Sequence, residues 1–170
     1  MYYNRYMFHI ILVEPEIPQN AGNIARTCAA TGCVLHLVKP LGFEITDKYL
    51  KRAGLDYWHL VDVRVHESFE EVRAELGDIP MYFFTTKAEK SYAEVAFPRG
   101  CALVFGKETA GLPEELLIKN RAFCVRIPML DGRRSLNLSN SVAIAVYEGL
   151  RQHSFEGFET QGSLHRLQWE

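Results

Sequence analysis

Short runs of apolar, β-branched residues alternate along the chain with segments whose apolar positions recur at helical spacing. Residues 8–13 (FHIILV) read as a buried strand that stops at Glu14-Pro15. Asn20 is expected to cap a helix running to about Thr31, with Gly32 as its C-terminal stop. Residues 34–38 form a second strand, 47–53 a short basic helix before Gly54, and 61–65 a third strand. Ser68-Phe-Glu-Glu71 has capping-box spacing and opens a helix that ends near Gly77. Residues 81–85 and 101–105 are further strands, 113–120 a helix entered through proline, and 124–127 the last strand. The final helix, 140–152, puts Val142, Ala145, Val146, Gly149 and Leu150 on one stripe.

Alternation of strand and helix with mostly uninterrupted apolar strands predicts an α/β fold: a parallel sheet with helices on both faces. The 170 residues suffice for one core without a staple, and one domain over 1–152 followed by a tail, 153–170, is expected. The tail has no clear periodicity; it is either a mobile end or a segment that packs on a second subunit.

Net charge is −2, so no chain-wide basic field recruits nucleic acid, and any RNA role rests on local clusters. Three such clusters exist: Lys48, Lys51 and Arg52; Lys87 and Lys90; Arg133 and Arg134. The apolar run near the N-terminus is too short to span a bilayer and no cleavage signal follows it. The four cysteines (28, 33, 101 and 124) form no C-x-x-C pair, and no H-x-x-x-H occurs, so neither metal nor redox motif is present. A reduced, cytoplasmic protein without a metal is expected, with His9 and His36 as satisfied core histidines.

In an open parallel sheet, ligands bind beyond the carboxyl ends of the strands. Three loops at those ends are rich in glycine, asparagine and serine: Asn20-Ala-Gly-Asn-Ile-Ala-Arg26, the segment 103–112 (LVFGKETAGL), and the segment 127–141 (IPMLDGRRSLNLSNS). G-x-G-x-x-G is absent, which weakens a dinucleotide-dependent dehydrogenase. Gly106 and Gly111 have P-loop spacing, but Leu112-Pro113 stands where Lys-Ser/Thr is needed. No G-x-S-x-G elbow is present.

Together the three loops resemble the ordered motifs of the SPOUT class of RNA methyltransferases, from about residue 8 to 151. Glu14-Pro-Glu-Ile-Pro18, Arg52-Ala-Gly-Leu-Asp-Tyr57, Thr85-Thr-Lys87 and Tyr147-Glu148 are similar to the small members that methylate the wobble ribose of tRNA. The resemblance implies a C-terminal trefoil knot, S-adenosylmethionine as cofactor with S-adenosylhomocysteine as product, and no metal. It also implies tRNA of the leucine type as substrate, methylated at cytidine or uridine 34, and a homodimer packed through the last helix. Since the first motif strand begins at about residue 8, it implies the small form without a preceding RNA-binding domain. Methylation of ribosomal RNA instead, or a non-catalytic RNA- or ribosome-binding protein of the same fold, are the rival readings.

A sulfonium donor carries no phosphate, so its adenosyl group needs apolar walls and close backbone rather than a phosphate cradle. Phe84, Gly106, Ile127, Met129 and Ser135 are the cofactor-binding candidates; all but Met129 match family cofactor positions. Arg26 follows Asn20 by six positions, and both are expected to face the sheet rim. The arginine stays protonated at neutral pH, so a fork gripping the target phosphate suits it better than a proton acceptor. By resemblance Arg26, Glu108, Asn137 and Tyr147 shape catalysis; Asn20 and Arg26, with Lys48, Arg52, Arg133 and Arg134 from the basic clusters, are the residues expected to face RNA. Each has a plainer reading: a solvated helix arginine for Arg26, a surface carboxylate for Glu108, a cap for Asn137 and a packing residue for Tyr147.

Overall fold

The computed structural model describes residues 7–45 and 58–169. Six strands, β1 (His9–Val13), β2 (Val34–Val38), β3 (Val63–His66), β4 (Met81–Phe84), β5 (Ala102–Phe105) and β6 (Cys124–Val125), form one sheet in the order β3-β2-β1-β5-β4-β6. Every pairing is parallel. Among the described residues four α-helices alternate with them: α1 (Pro18–Thr31), α2 (Phe69–Leu76), α3 (Glu114–Lys119) and α4 (Leu138–Gln152).

The period-2 alternation splits the inner strands between two cores, whereas edge strand β3 leaves Val65 exposed. Ile10 and Leu12 of β1, with Leu35, Leu37, Leu103 and Phe105, pack under α1 and α4. Ile11 and Val13, with Val38, Phe83 and Val104, pack under α2 and α3. Burial on both faces is why the strands read as unbroken apolar runs. The stripe foreseen on the last helix is its buried face, and it seats Gly149 on the Phe8 ring; an added Cβ there would lie 2.5 Å from Phe8 Cζ.

Several boundaries move for identifiable reasons. Pro18 takes the first turn of α1 and Ile17 stands at its N-cap, so Asn20 lies inside the helix and does not cap it. Gly32 does stop α1, in the left-handed region at φ 68°. Residues 58–60 form a short 3₁₀ turn that keeps Val61, through its N–H to the Trp58 carbonyl, out of β3. Ser68 Oγ accepts from Glu71 N, but the Glu71 carboxylate reaches back to the N–H of Glu67, one residue before the cap. Pro113 is the N-cap of α3 rather than its first residue. β6 ends at Val125, beyond which Arg126 bridges to Ser91 instead of continuing along β4. The basic helix expected at 47–53 lies outside the described residues, as do Lys48, Lys51 and Arg52.

Three histidines form a chain within the sheet. His9 Nδ1 lies 2.9 Å from His36 Nε2, and His36 Nδ1 lies 3.0 Å from His66 Nε2. All are buried and satisfied, as expected for His9 and His36. Burial holds His9 down at about 4 and His36 at about 3, with Arg64 adding to the effect on both.

Candidate active site

The carboxyl ends of β4 and β5, the segment after β6 and the first turns of α1 and α4 surround one cleft of about 540 Å³, a size suited to a cofactor. Its walls include Phe84, Gly106, Ile127, Met129 and Ser135. Phe84 is fixed there by stacking on Phe105, ring centroids 4.7 Å apart and planes 15° apart.

Gly106 lines the cleft and also answers a need within its own loop. A Cβ at residue 106 would fall on the backbone of Gly111 and Leu112, so the missing side chain makes room for the loop's own return. That return is closed by Gly111 N–H donating to the Lys107 carbonyl at 2.9 Å, with Gly111 at φ 70°.

A clasp between segments about 90 residues apart shapes the floor. Glu108 accepts from Glu16 N at 2.8 Å, Ile17 N at 3.1 Å and Asn20 Nδ2 at 3.0 Å. Its carboxylate therefore occupies the N-terminus of α1, where the apolar Ile17 side chain cannot cap, and where negative charge is favoured. Glu16 answers by accepting from Thr109 N and Oγ1, and Lys107 Nζ pairs with Glu14 at 2.9 Å.

Asn137 is the N-cap of α4, its Oδ1 accepting from Ser139 N at 2.9 Å and Asn140 N at 3.3 Å. Its Nδ2 donates to Asn20 Oδ1 at 2.9 Å. Glu108, Asn20 and Asn137 thus form one polar chain joining all three motif loops. Glu108 and Asn137 are both engaged by the protein, which gives each a loop-holding task beside any contact with substrate.

Arg134 also lines the cleft, and Arg133 lines an adjoining one. Arg26 and Tyr147 line neither. Six residues of α-helix turn through about 600°, which leaves Arg26 about 120° around α1 from Asn20. Asn20 points inward and Arg26 outward, so the shared rim position expected for them is not realised. Tyr147 is exposed on α4, beside Phe155, with centroids 6.4 Å apart. The structure adds Thr86, Lys87 and Lys107 to the cleft and Arg126 to its neighbour. Of these, Thr86 and Lys87 stood within a motif already noticed, whereas Arg126 is hidden in an apolar stretch.

The SpoU rRNA Methylase family profile matches residues 7–147. The chain belongs to this family. A relative from Methylovorus glucosotrophus, a tRNA (cytidine(34)-2'-O)-methyltransferase, is 52% identical over 152 residues, 89% of this chain and 99% of that protein. A structure solved for "Structural insights into the 2-OH methylation of C/U34 on tRNA" is 47% identical, with TM-score 0.82, covering 89% of this chain and 99% of that one. The SpoU methyltransferase AviRb from Streptomyces viridochromogenes, in complex with AdoMet, shares the fold at TM-score 0.75 and 24% identity, over 88% of this chain and 59% of that one. Among the described residues no helix is long and apolar enough to cross a membrane, and no group of three His, Cys, Asp or Glu is placed to hold a metal.

Proposed function

We propose that the chain is an S-adenosylmethionine-dependent 2'-O-ribose methyltransferase acting on nucleotide 34, cytidine or uridine, of leucine-type tRNA in the cytoplasm. The observation that carries this reading is the meeting of the three motif loops in one cleft, in a chain 52% identical to a tRNA (cytidine(34)-2'-O)-methyltransferase.

The cleft fits an adenosyl group: Phe84, Ile127 and Met129 offer apolar walls, Gly106 and Ser135 lie beside them, and no Gly-rich phosphate cradle is needed. When bound, the cofactor supplies a methyl group already activated on a sulfonium. The protein's part is to position and to exclude water, which accounts for large accelerations without a covalent enzyme intermediate. Glu108, Asn20 and Asn137 are positioning residues that keep the loops in register. Arg133 and Arg134 meet the RNA backbone at the cleft mouth, with Lys48 and Arg52 assigned to the same strand from sequence alone.

The remaining elements are read through a homodimer. Ile144 and Tyr147 leave an apolar strip exposed on α4, next to α1. A second copy docked on that strip would give the outward-facing Arg26 a cleft to serve: that of its partner. Arg26 there grips a phosphate and orients the ribose. The trefoil knot is part of the same proposal, supported by family membership. One domain over 1–152 carries these parts, with 153–170 as a tail.

The test is transfer of labelled methyl from S-adenosylmethionine to leucine tRNA unmodified at position 34, with the product mapped by mass spectrometry. Label on the ribose of nucleotide 34 is expected. Label only on ribosomal RNA moves the activity to that substrate, and failure to bind S-adenosylhomocysteine leaves an RNA-binding protein.

A further inference from the structure

The second cleft, about 600 Å³, continues the first: both are lined by Thr86, Met129 and Ser135. Two arginines line it, Arg126 and Arg133. Arg134, the next residue, lines the first cleft instead, and two further arginines on this side of the fold are occupied. Arg121 is held by Glu89 at 2.9 Å, and Arg73 donates to Asn120 Oδ1 at 2.7 Å. Among the described residues neither Arg126 nor Arg133 has a carboxylate within ion-pair distance. The one acid lining the cleft, Asp131, turns its Oδ1 back to the N–H of Gly132 at 2.9 Å.

Arg126 is also built in, whereas Arg133 follows a turn. Its N–H donates to the Lys90 carbonyl and its own carbonyl accepts from Tyr92 N, both at 2.9 Å, while Ser91 pairs with it as an isolated parallel bridge. A capping box at Ser91 and Glu94 fixes that partner segment in turn. The guanidinium therefore projects from a backbone anchored on both sides, at the ligand end of the sheet. A guanidinium with its fork unspent is suited to bidentate grip on an oxyanion.

Resting on the reading of the chain as an RNA methyltransferase, we infer that this second cleft seats a backbone phosphate next to the methylated nucleotide, with Arg126 as the anchored contact and Arg133 as the second. A ribose presented in the first cleft leaves its flanking phosphate at the shared wall of Thr86, Met129 and Ser135. Arg126 is thus a substrate-binding residue for which neither the motif spacing nor the family resemblance supplied a role.

The test compares wild type, Arg126→Gln, Arg133→Gln and the double variant for binding to leucine tRNA over a range of salt, and to S-adenosylhomocysteine by calorimetry. Each substitution should lower the salt slope by about one, and the pair should weaken tRNA binding by about tenfold or more. S-adenosylhomocysteine affinity and thermal melting should stay unchanged. Arg121→Gln, on a guanidinium already paired, should leave the slope where it is, and Arg126→Lys should keep most of it. An unchanged slope in the double variant overturns the inference, as does a loss of S-adenosylhomocysteine affinity, which would make the cleft the seat of the cofactor's carboxylate. Methylation of nucleotide 34 by wild type is read in the same preparations. If that fails while the slopes fall as expected, the wobble reading is lost and the phosphate seat stands.

Discussion

Asn137 Nδ2 donates to Asn20 Oδ1 across 117 positions, joining the first turns of α1 and α4 over the floor of the cleft. The orientation of both amides follows from their other partners: Asn137 Oδ1 accepts backbone N–H groups, and Asn20 Nδ2 faces the Glu108 carboxylate. Asn20→Ala removes the middle of this chain and strands a donor on Asn137 and an acceptor on Glu108. A loss of about 1–3 kcal/mol is expected, read as a melting temperature lower by roughly 2–4 °C per kcal/mol. Asn20→Asp should cost more, since a second carboxylate would then lie against Glu108. Equal melting of the two variants would remove charge from the explanation.

Gly106 and Gly132 provide a matched pair. An added methyl at 106 meets backbone, which cannot step aside; at 132 it meets nothing within 4 Å, and only the left-handed φ of 66° opposes it. Gly106→Ala should therefore abolish S-adenosylhomocysteine binding in calorimetry and destabilise the fold. Gly132→Ala should cost only about 1–2 kcal/mol and keep the cofactor affinity.

The histidine chain makes stability depend on acid. His9 and His36 are depressed from 6.5 to about 4 and about 3 in the folded protein, chiefly by burial, with Arg64 opposing their protonation and Asp62 favouring it; Glu75 also favours it at His9. The unfolded chain takes up protons first. The contribution is thus complete above about pH 6.5 and is lost as pH falls from there through 4 toward 3. Urea midpoints measured from pH 8 to pH 4 should fall steeply in wild type. They should fall less in His36→Leu, which starts lower because His9 and His66 lose their common partner.

Burial raises the thiols of Cys28, Cys33 and Cys101, the latter two to about 11 and about 12. Thiolate is the reactive form, so native protein at pH 8 should resist alkylation at these three positions and react fully in denaturant. Rapid native labelling of Cys33 would show that α1 opens readily.

Arg26→Ala should leave S-adenosylhomocysteine affinity intact, because residue 26 does not line the cleft of its own chain, and should lower transfer to tRNA by about a hundredfold. Parallel loss of both would give Arg26 a part in holding the fold instead.

The six strands and the three loops were legible because their causes are local. A strand buried on both faces must be apolar throughout, and a ligand loop with tight returns must spend glycine and asparagine. The role of Asn20 was not legible, since a capping asparagine and a bridging one look alike until the partners at 108 and 137 are known. A second need at Gly106 was hidden for the same reason: Gly111 and Leu112 fold back against it. Arg126 sits among Cys124, Val125 and Ile127, where the apolar pattern hides it. The outward position of Arg26 could have been reached from helix geometry alone, since six residues do not return to the same face. The histidine chain has no local signature, its members being 27 and 30 positions apart.

The placement of β5 between β1 and β4 bears on synthesis. When a ribosome has delivered the first hundred residues, β1 to β3 can pair, but β1 keeps a bare edge, the kind of surface to which stray strands add. Only with β5 is that edge covered, and only with the residues after it can the clasp at Glu108 close. The cleft is therefore among the last parts to form during translation, and a prematurely terminated chain is left sticky and without it.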